Sequence, residues 1–134
     1  MGENINTRMV EELKTCGSKI LSELDVQRKL FLLKVASEIV GSSLIYNDDD
    51  DLIVSNFVLD VAHAFLSTKL EEGDAIQSLY PDLSVMLDDI GRNIIELANA
   101  IENNLPKHEI NKNIIKSIYA LTDFGLYKKI KKQE

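Results

Sequence analysis

The sequence predicts an all-α fold: a single-domain bundle of about five main helices over residues 1–134. Three observations carry this expectation. Apolar residues recur at steps of three and four along most of the chain, the period of one face of an α-helix. No stretch alternates polar and apolar residues as a half-buried strand would, and the β-branched pairs at 39–40 and 53–54 fall inside helical patterns. The breaks between periodic stretches are short, which suits helices packed side by side. With 134 residues, 45% hydrophobic and 28% charged, the composition is that of an ordinary globular chain long enough to bury one core without cross-links.

Thr7 is the expected cap of a first, amphipathic helix in which Met9, Leu13, Cys16, Ile20 and Leu24 follow at helical spacing. Asp25 is the expected cap of a second. There Val26, Leu30, Phe31, Leu33, Val35, Ile39 and Val40 cover more than one face, so this helix should sit deeper in the core and end between Gly41 and Asn47. A third helix follows the aspartates and carries Leu52, Ile53, Val54, Phe57, Val58, Val61, Ala62, Phe65 and Leu66 towards Gly73, whose missing side chain suits a left-handed cap. It is apolar around much of its circumference, which places it at the centre of the bundle or against a second copy of the chain. Asp74 starts a short helical turn that Tyr80-Pro81 separates from a fourth helix, with Val85, Met86, Ile90, Ile94, Leu97, Ala98 and Ile101 on its apolar side. Asn103-Asn104-Leu105-Pro106 ends it. A last helix carries Ile110, Ile114, Ile115, Ile118, Leu121, Phe124 and Tyr127 and runs into a basic, fraying tail at 128–134.

Charge is sorted along the chain. Residues 1–43 hold six basic and six acidic side chains, residues 44–106 hold two and thirteen, and residues 107–134 hold seven and three. The segments carry 0, −11 and +4, which gives the net −7. Such polarity selects partners by sign and does not by itself specify a fold. The lone Cys16 excludes an intrachain disulfide and a multi-thiolate metal site and favours a reducing compartment, the cytoplasm. The first residues lack the apolar stretch of a signal peptide, and no uninterrupted apolar run approaches the ~20 residues of a bilayer span, so no membrane association is expected. The acidic balance and short basic end argue against direct nucleic-acid binding by phosphate neutralisation.

Asn47 and the aspartates behind it form the densest polar cluster. A calcium loop needs glycine at its sixth position and glutamate at its twelfth, where this chain has Leu52 and Val58. Acidic residues at a helix start complement the helix dipole, which gives Asp50 and Asp51 a structural role. Asp48, Asp49, Asp50, Asp51, Asp88 and Asp89 are the candidate interaction surface. Asp60 and His63 stand three apart on one helix face, a single pair where a di-iron bundle needs two and two further carboxylates. His63 is expected half-buried and bonded to a neighbour, His108 solvated, and Cys16 buried as a small apolar residue. The sequence holds no glycine-rich phosphate loop or nucleophile elbow, and no metal or cofactor is expected.

The stretch Lys34-Val35-Ala36-Ser37-Glu38-Ile39-Val40-Gly41, followed by Asn56-Phe57-Val58-Leu59-Asp60-Val61, resembles the paired acidic motifs of the all-alpha nucleotide pyrophosphohydrolases over about a third of the chain. That resemblance implies a magnesium enzyme whose acidic residues on facing helices hold the ion against a triphosphate. Ser37, Gly41 and Asn56 stand where acidic ligands belong in that pattern, so Glu38 and Asp60 are the residues left to this enzymatic alternative. Gly91-Arg92, early in an apolar helix, is similar over two residues to the helical cell-death regulators and their viral relatives.

With no assembled reactive constellation, the expected function is that of a non-catalytic interaction protein: a regulator, adaptor or accessory subunit docking through its acidic middle on a protein with a basic surface. The alternatives are a degenerate pyrophosphohydrolase-like magnesium enzyme, a self-assembling homo-oligomeric subunit, and a nucleic-acid mimic.

Overall fold

The computed structural model describes residues 2–70 and 74–119, with side chains over 6–70 and 83–119. The chain forms α1 (Gly2–Ser22), α2 (Val26–Ser43), α3 (Asp50–Leu70), α4 (Asp74–Glu102) and α5, helical from residue 108 to residue 119. No strand occurs among the described residues, and helices packed on helices make an all-α bundle. The apolar positions expected at 121, 124 and 127, the cap at Gly73 and the basic tail at 128–134 lie outside the described residues.

Local chemistry sets the joints. Asp25 caps α2 from extended backbone (φ −85°, ψ 119°), its carboxylate accepting from the Gln27 amide at 2.9 Å. That extended backbone ends α1 at Ser22, so Leu24 leaves the helical period and lies 94% exposed in the joint instead of continuing the stripe. At the other end α1 reaches back to Gly2, and Thr7 sits within the helix instead of capping it, because nothing in residues 2–6 breaks a helix. Asp49 caps α3: its Oδ1 accepts from the Asp51 amide at 2.9 Å and its carbonyl from the Leu52 and Ile53 amides. Asp50 and Asp51 follow in the first turn, where the dipole favours them.

α4 is a single helix through Pro81, not a short turn followed by a new helix. Proline forgoes one amide bond to the carbonyl four residues back, and a 29-residue helix with a long apolar face tolerates that loss. Its C-terminus closes at Asn104, in the left-handed region at φ 52°, with Leu105 N donating to Ala100 O (2.8 Å) and Asn104 N to Ile101 O (3.3 Å), a Schellman motif.

α1 packs chiefly on α4, with their closest approach at two glycines. A Cβ on Gly17 would lie 2.6 Å from Ile95 Cγ1 and 2.8 Å from Gly91 O, and one on Gly91 would lie 2.9 Å from Ile20 Cγ2. α2 contacts α1, α3 and α4, the deeper position its several apolar faces predict, although Phe31 turns outward at 65% exposure. Leu13, Ile20, Leu33, Val40, Ile90, Ile94 and Leu97 fill the centre between these three helices. Lys29 is buried among them, donating to Ile20 O at 2.6 Å and pairing with Asp88, so one ammonium ties the end of α1 and the flank of α4 to the start of α2.

α3 is peripheral. It lies along α2, meets α4 only marginally, and is joined to α5 by Ser55 donating to Asn111 Oδ1 (2.7 Å) and Asn111 donating to Asp51 O (3.2 Å). Ile114 inserts the described part of α5 into the core. Of the two positions its apolar circumference allows, the centre of the bundle is the one the fold does not use.

Candidate functional site

The six aspartates expected to form one surface divide between two separate places on the molecule, Asp88 and Asp89 midway along α4 and Asp48–Asp51 at the start of α3. Asp88 serves Lys29 near the start of α2, while Asp48–Asp51 follow the end of α2, so about 14 residues, or roughly 20 Å of helix, separate the groups. Within each group the roles also differ. Asp49 accepts from the buried Lys107 at 3.1 Å, and Asp89 pairs with Arg92 one turn along α4. Burial opposes ionisation of Asp49, but the hydrogen bond and charge of Lys107 with the Asp51 and Leu52 amides outweigh it and hold the carboxyl below the usual range. Asp48 and Asp50 are exposed, and Asp51 offers its backbone carbonyl to Ser55 and Asn111. Asp48 and Asp50 are therefore the members of the cluster turned outward.

The stretches that resemble pyrophosphohydrolase motifs do meet, on the seam between α2 and α3. Asn56 Nδ2 donates to Ser37 O at 2.9 Å, Ser37 Oγ donates to Asp60, and a Cβ on Gly41 would lie 2.9 Å from Asn56 Nδ2. Lys34 approaches Asp60 at 3.9 Å. The seam thus joins two helices through neutral partners, one carboxylate and the Lys34 ammonium. Glu38 faces away, towards α1, in an open cleft of about 480 Å³ with Arg8, Glu12 and Tyr46. Glu38 and Asp60 are not brought together, and no group of three or more potential metal-ligating His, Cys, Asp or Glu side chains occurs among the described residues.

His63 continues the seam one turn beyond Asp60, half-buried, with Ser67 Oγ 3.4 Å from its Nε2. Burial and the nearby Lys34 lower its pKa, against the opposing pull of Asp60. His108 is exposed at the start of α5. Cys16 is buried and donates to Leu32 O at 2.9 Å, and burial pushes its thiol up to about 11, which keeps it protonated and unreactive near neutrality.

The outer face of α3 is legible in the sequence only as a helix apolar around much of its circumference, and none of its apolar residues stands among the candidate site residues. At about 100° per residue, Ile53, Val54, Phe57, Val61 and Ala64 fall in one sector with Asp50, Asp60 and Thr68, and all eight are exposed. Ile53 is 49% exposed, Val54 44%, Phe57 65% and Val61 41%. The inward face is apolar as well, with Leu52, Val58, Leu59, Ala62 and Leu66 buried. The available signal was the absence of a polar side, which sequence periodicity cannot assign to core or surface. By length and composition α3 is also apolar enough to cross a membrane, with a mean hydropathy of 1.2 in its best window.

No protein-family model matches the chain, and neither a curated protein nor a solved structure matches it.

Proposed function

We propose that this chain is a non-catalytic interaction protein, a helical module that acts by docking on another macromolecule. The supporting observation is the outer face of α3. Among the described residues no element covers Ile53, Val54, Phe57 and Val61, and a contiguous apolar patch of this kind along one helix is often functional. The acidic middle of the sequence contributes its outward members, Asp48 and Asp50, at one end of that face. A protein partner with a basic surface suits this combination, because rim charges of one sign steer encounter while the apolar strip supplies the contact.

The reading is tested by affinity capture from the source cell with the chain and with a Phe57→Asp, Val61→Asp variant as baits, followed by mass spectrometry. Both side chains are exposed, so the variant should keep its helical circular dichroism and cooperative melt while losing the captured proteins. An identical capture profile from the two baits would overturn the reading.

A further inference from the structure

Resting on that docking reading, we infer that the outer face of α3 receives a single basic amphipathic helix from a protein partner. The face runs from Asp50 to Thr68, about 27 Å of helix. Its apolar knobs stand at steps of three and four, the spacing that a second helix matches with a stripe of its own. The four large side chains expose on the order of 400 Å² in total, about half of what each partner gives to a standard interface of ~800 Å² a side. One helix covers such a strip; a globular surface would leave most of its own contact area unmatched.

Charge selects among helices. Asp50 and Asp60 are the two charged groups in the exposed sector, and Asp48 stands exposed just before it. Lys34 touches Asp60 from α2 at 3.9 Å, yet the Asp60 side chain remains 47% exposed and open to a second cation. Lys69, over the Phe65 ring, lies past the C-terminal end of the strip. Asp50 and Asp60 are ten residues apart, about 15 Å, so lysines or arginines about three turns apart on a partner's flank reach both. A second copy of this chain fits less well. Antiparallel pairing centred between Phe57 and Val61 would bring the two Asp60 carboxylates together, between molecules that each carry −7.

The test uses two fluorescent peptides of ~18 residues with one leucine stripe, flanked by lysines in the first and glutamates in the second. The lysine peptide should bind the full chain at micromolar concentration and the glutamate peptide at least tenfold more weakly. Phe57→Asp should weaken the lysine peptide at least tenfold. Asp48→Lys with Asp50→Lys should weaken it severalfold and flatten its salt dependence, each variant melting like the parent. Equal affinity for the two peptides, or unchanged affinity in Phe57→Asp, would overturn the assignment. A peptide-free dimer seen by sedimentation and abolished by Phe57→Asp would assign the face to a second copy instead. Retention by neutral phosphatidylcholine vesicles that depends on Phe57 would assign it to lipid. If the peptides fail while the Phe57→Asp, Val61→Asp bait loses its captured proteins, the basic-helix assignment falls and the docking reading stands; if that bait loses nothing, both fall.

Discussion

Gly17 and Gly91 show how much one missing methyl group decides. A Cβ on Gly17 would meet the backbone oxygen of Gly91 at 2.8 Å as well as Ile95, and a backbone atom cannot swing aside as a side-chain tip does. Gly17→Ala is therefore expected to lower unfolding free energy by about 1–3 kcal/mol in chemical denaturation, by pushing α1 off α4. The same contact accounts for Gly91 by packing alone. Two titrating residues give stability a pH profile. The native pKa of His63 lies below its unfolded value of ~6.5, so its contribution is complete above that pH and declines as pH falls towards the native pKa. Asp49 has the same sign at lower pH: its contribution is complete above ~3.9 and is lost as pH falls through its lowered native pKa. Denaturation between pH 8 and 5 should show a decline that His63→Gln removes; an unchanged slope in that variant would rule out His63 as its source.

Each helix end is a small chemical decision, and these are the most legible parts of the sequence. Asp25 reads as a cap and is one, because a short carboxylate before an apolar period has few better uses than the amides of the first turn. Asn103-Asn104-Leu105-Pro106 reads as a stop, and Asn104 makes it by adopting a left-handed conformation. Asn104→Ala should cost about 1 kcal/mol and Asn104→Gly should be neutral or slightly stabilising, read as shifts in the denaturation midpoint. The start of α1 and the passage of α4 through Pro81 are less legible. Thr7 and Pro81 have the chemistry of boundaries, but a boundary residue permits an end without enforcing one when flanking residues also favour helix.

Lys29 exposes the limit of sequence reading across the whole molecule. A lysine beside Arg28 has the chemistry of a solvent-facing residue, yet here it is buried and its ammonium joins three helices through Ile20 O and Asp88. Asp88→Ala should cost about 3 kcal/mol by leaving a buried ammonium without its carboxylate, whereas Lys29→Met should cost less, since the carboxylate it leaves behind is 30% exposed and keeps part of its hydration. Comparable large losses in both variants would show that the pair carries net stability. The charge sorting seen along the chain is partly undone in space. Lys107, from the basic final segment, closes on Asp49 in the acidic one, and Asp88 and Asp89 each hold a cation. What remains outward near α3 is Asp48, Asp50 and the open side of Asp60, beside an apolar strip.

From the order of its residues this chain determined that it would be helical, where most helices start and stop, and most of the positions along α1, α2 and α4 that turn inward, Phe31 and Val85 excepted at 65% and 60% exposure, because these follow from period and from bonds between residues a turn apart. Tertiary structure alone decided that α3 is lateral, that Lys29 and Lys107 go inside, and that Ile53, Phe57 and Val61 stay outside. Period reports which faces avoid water but not how many neighbours are present to cover them, and among the described residues α3 has two apolar faces where the bundle covers one.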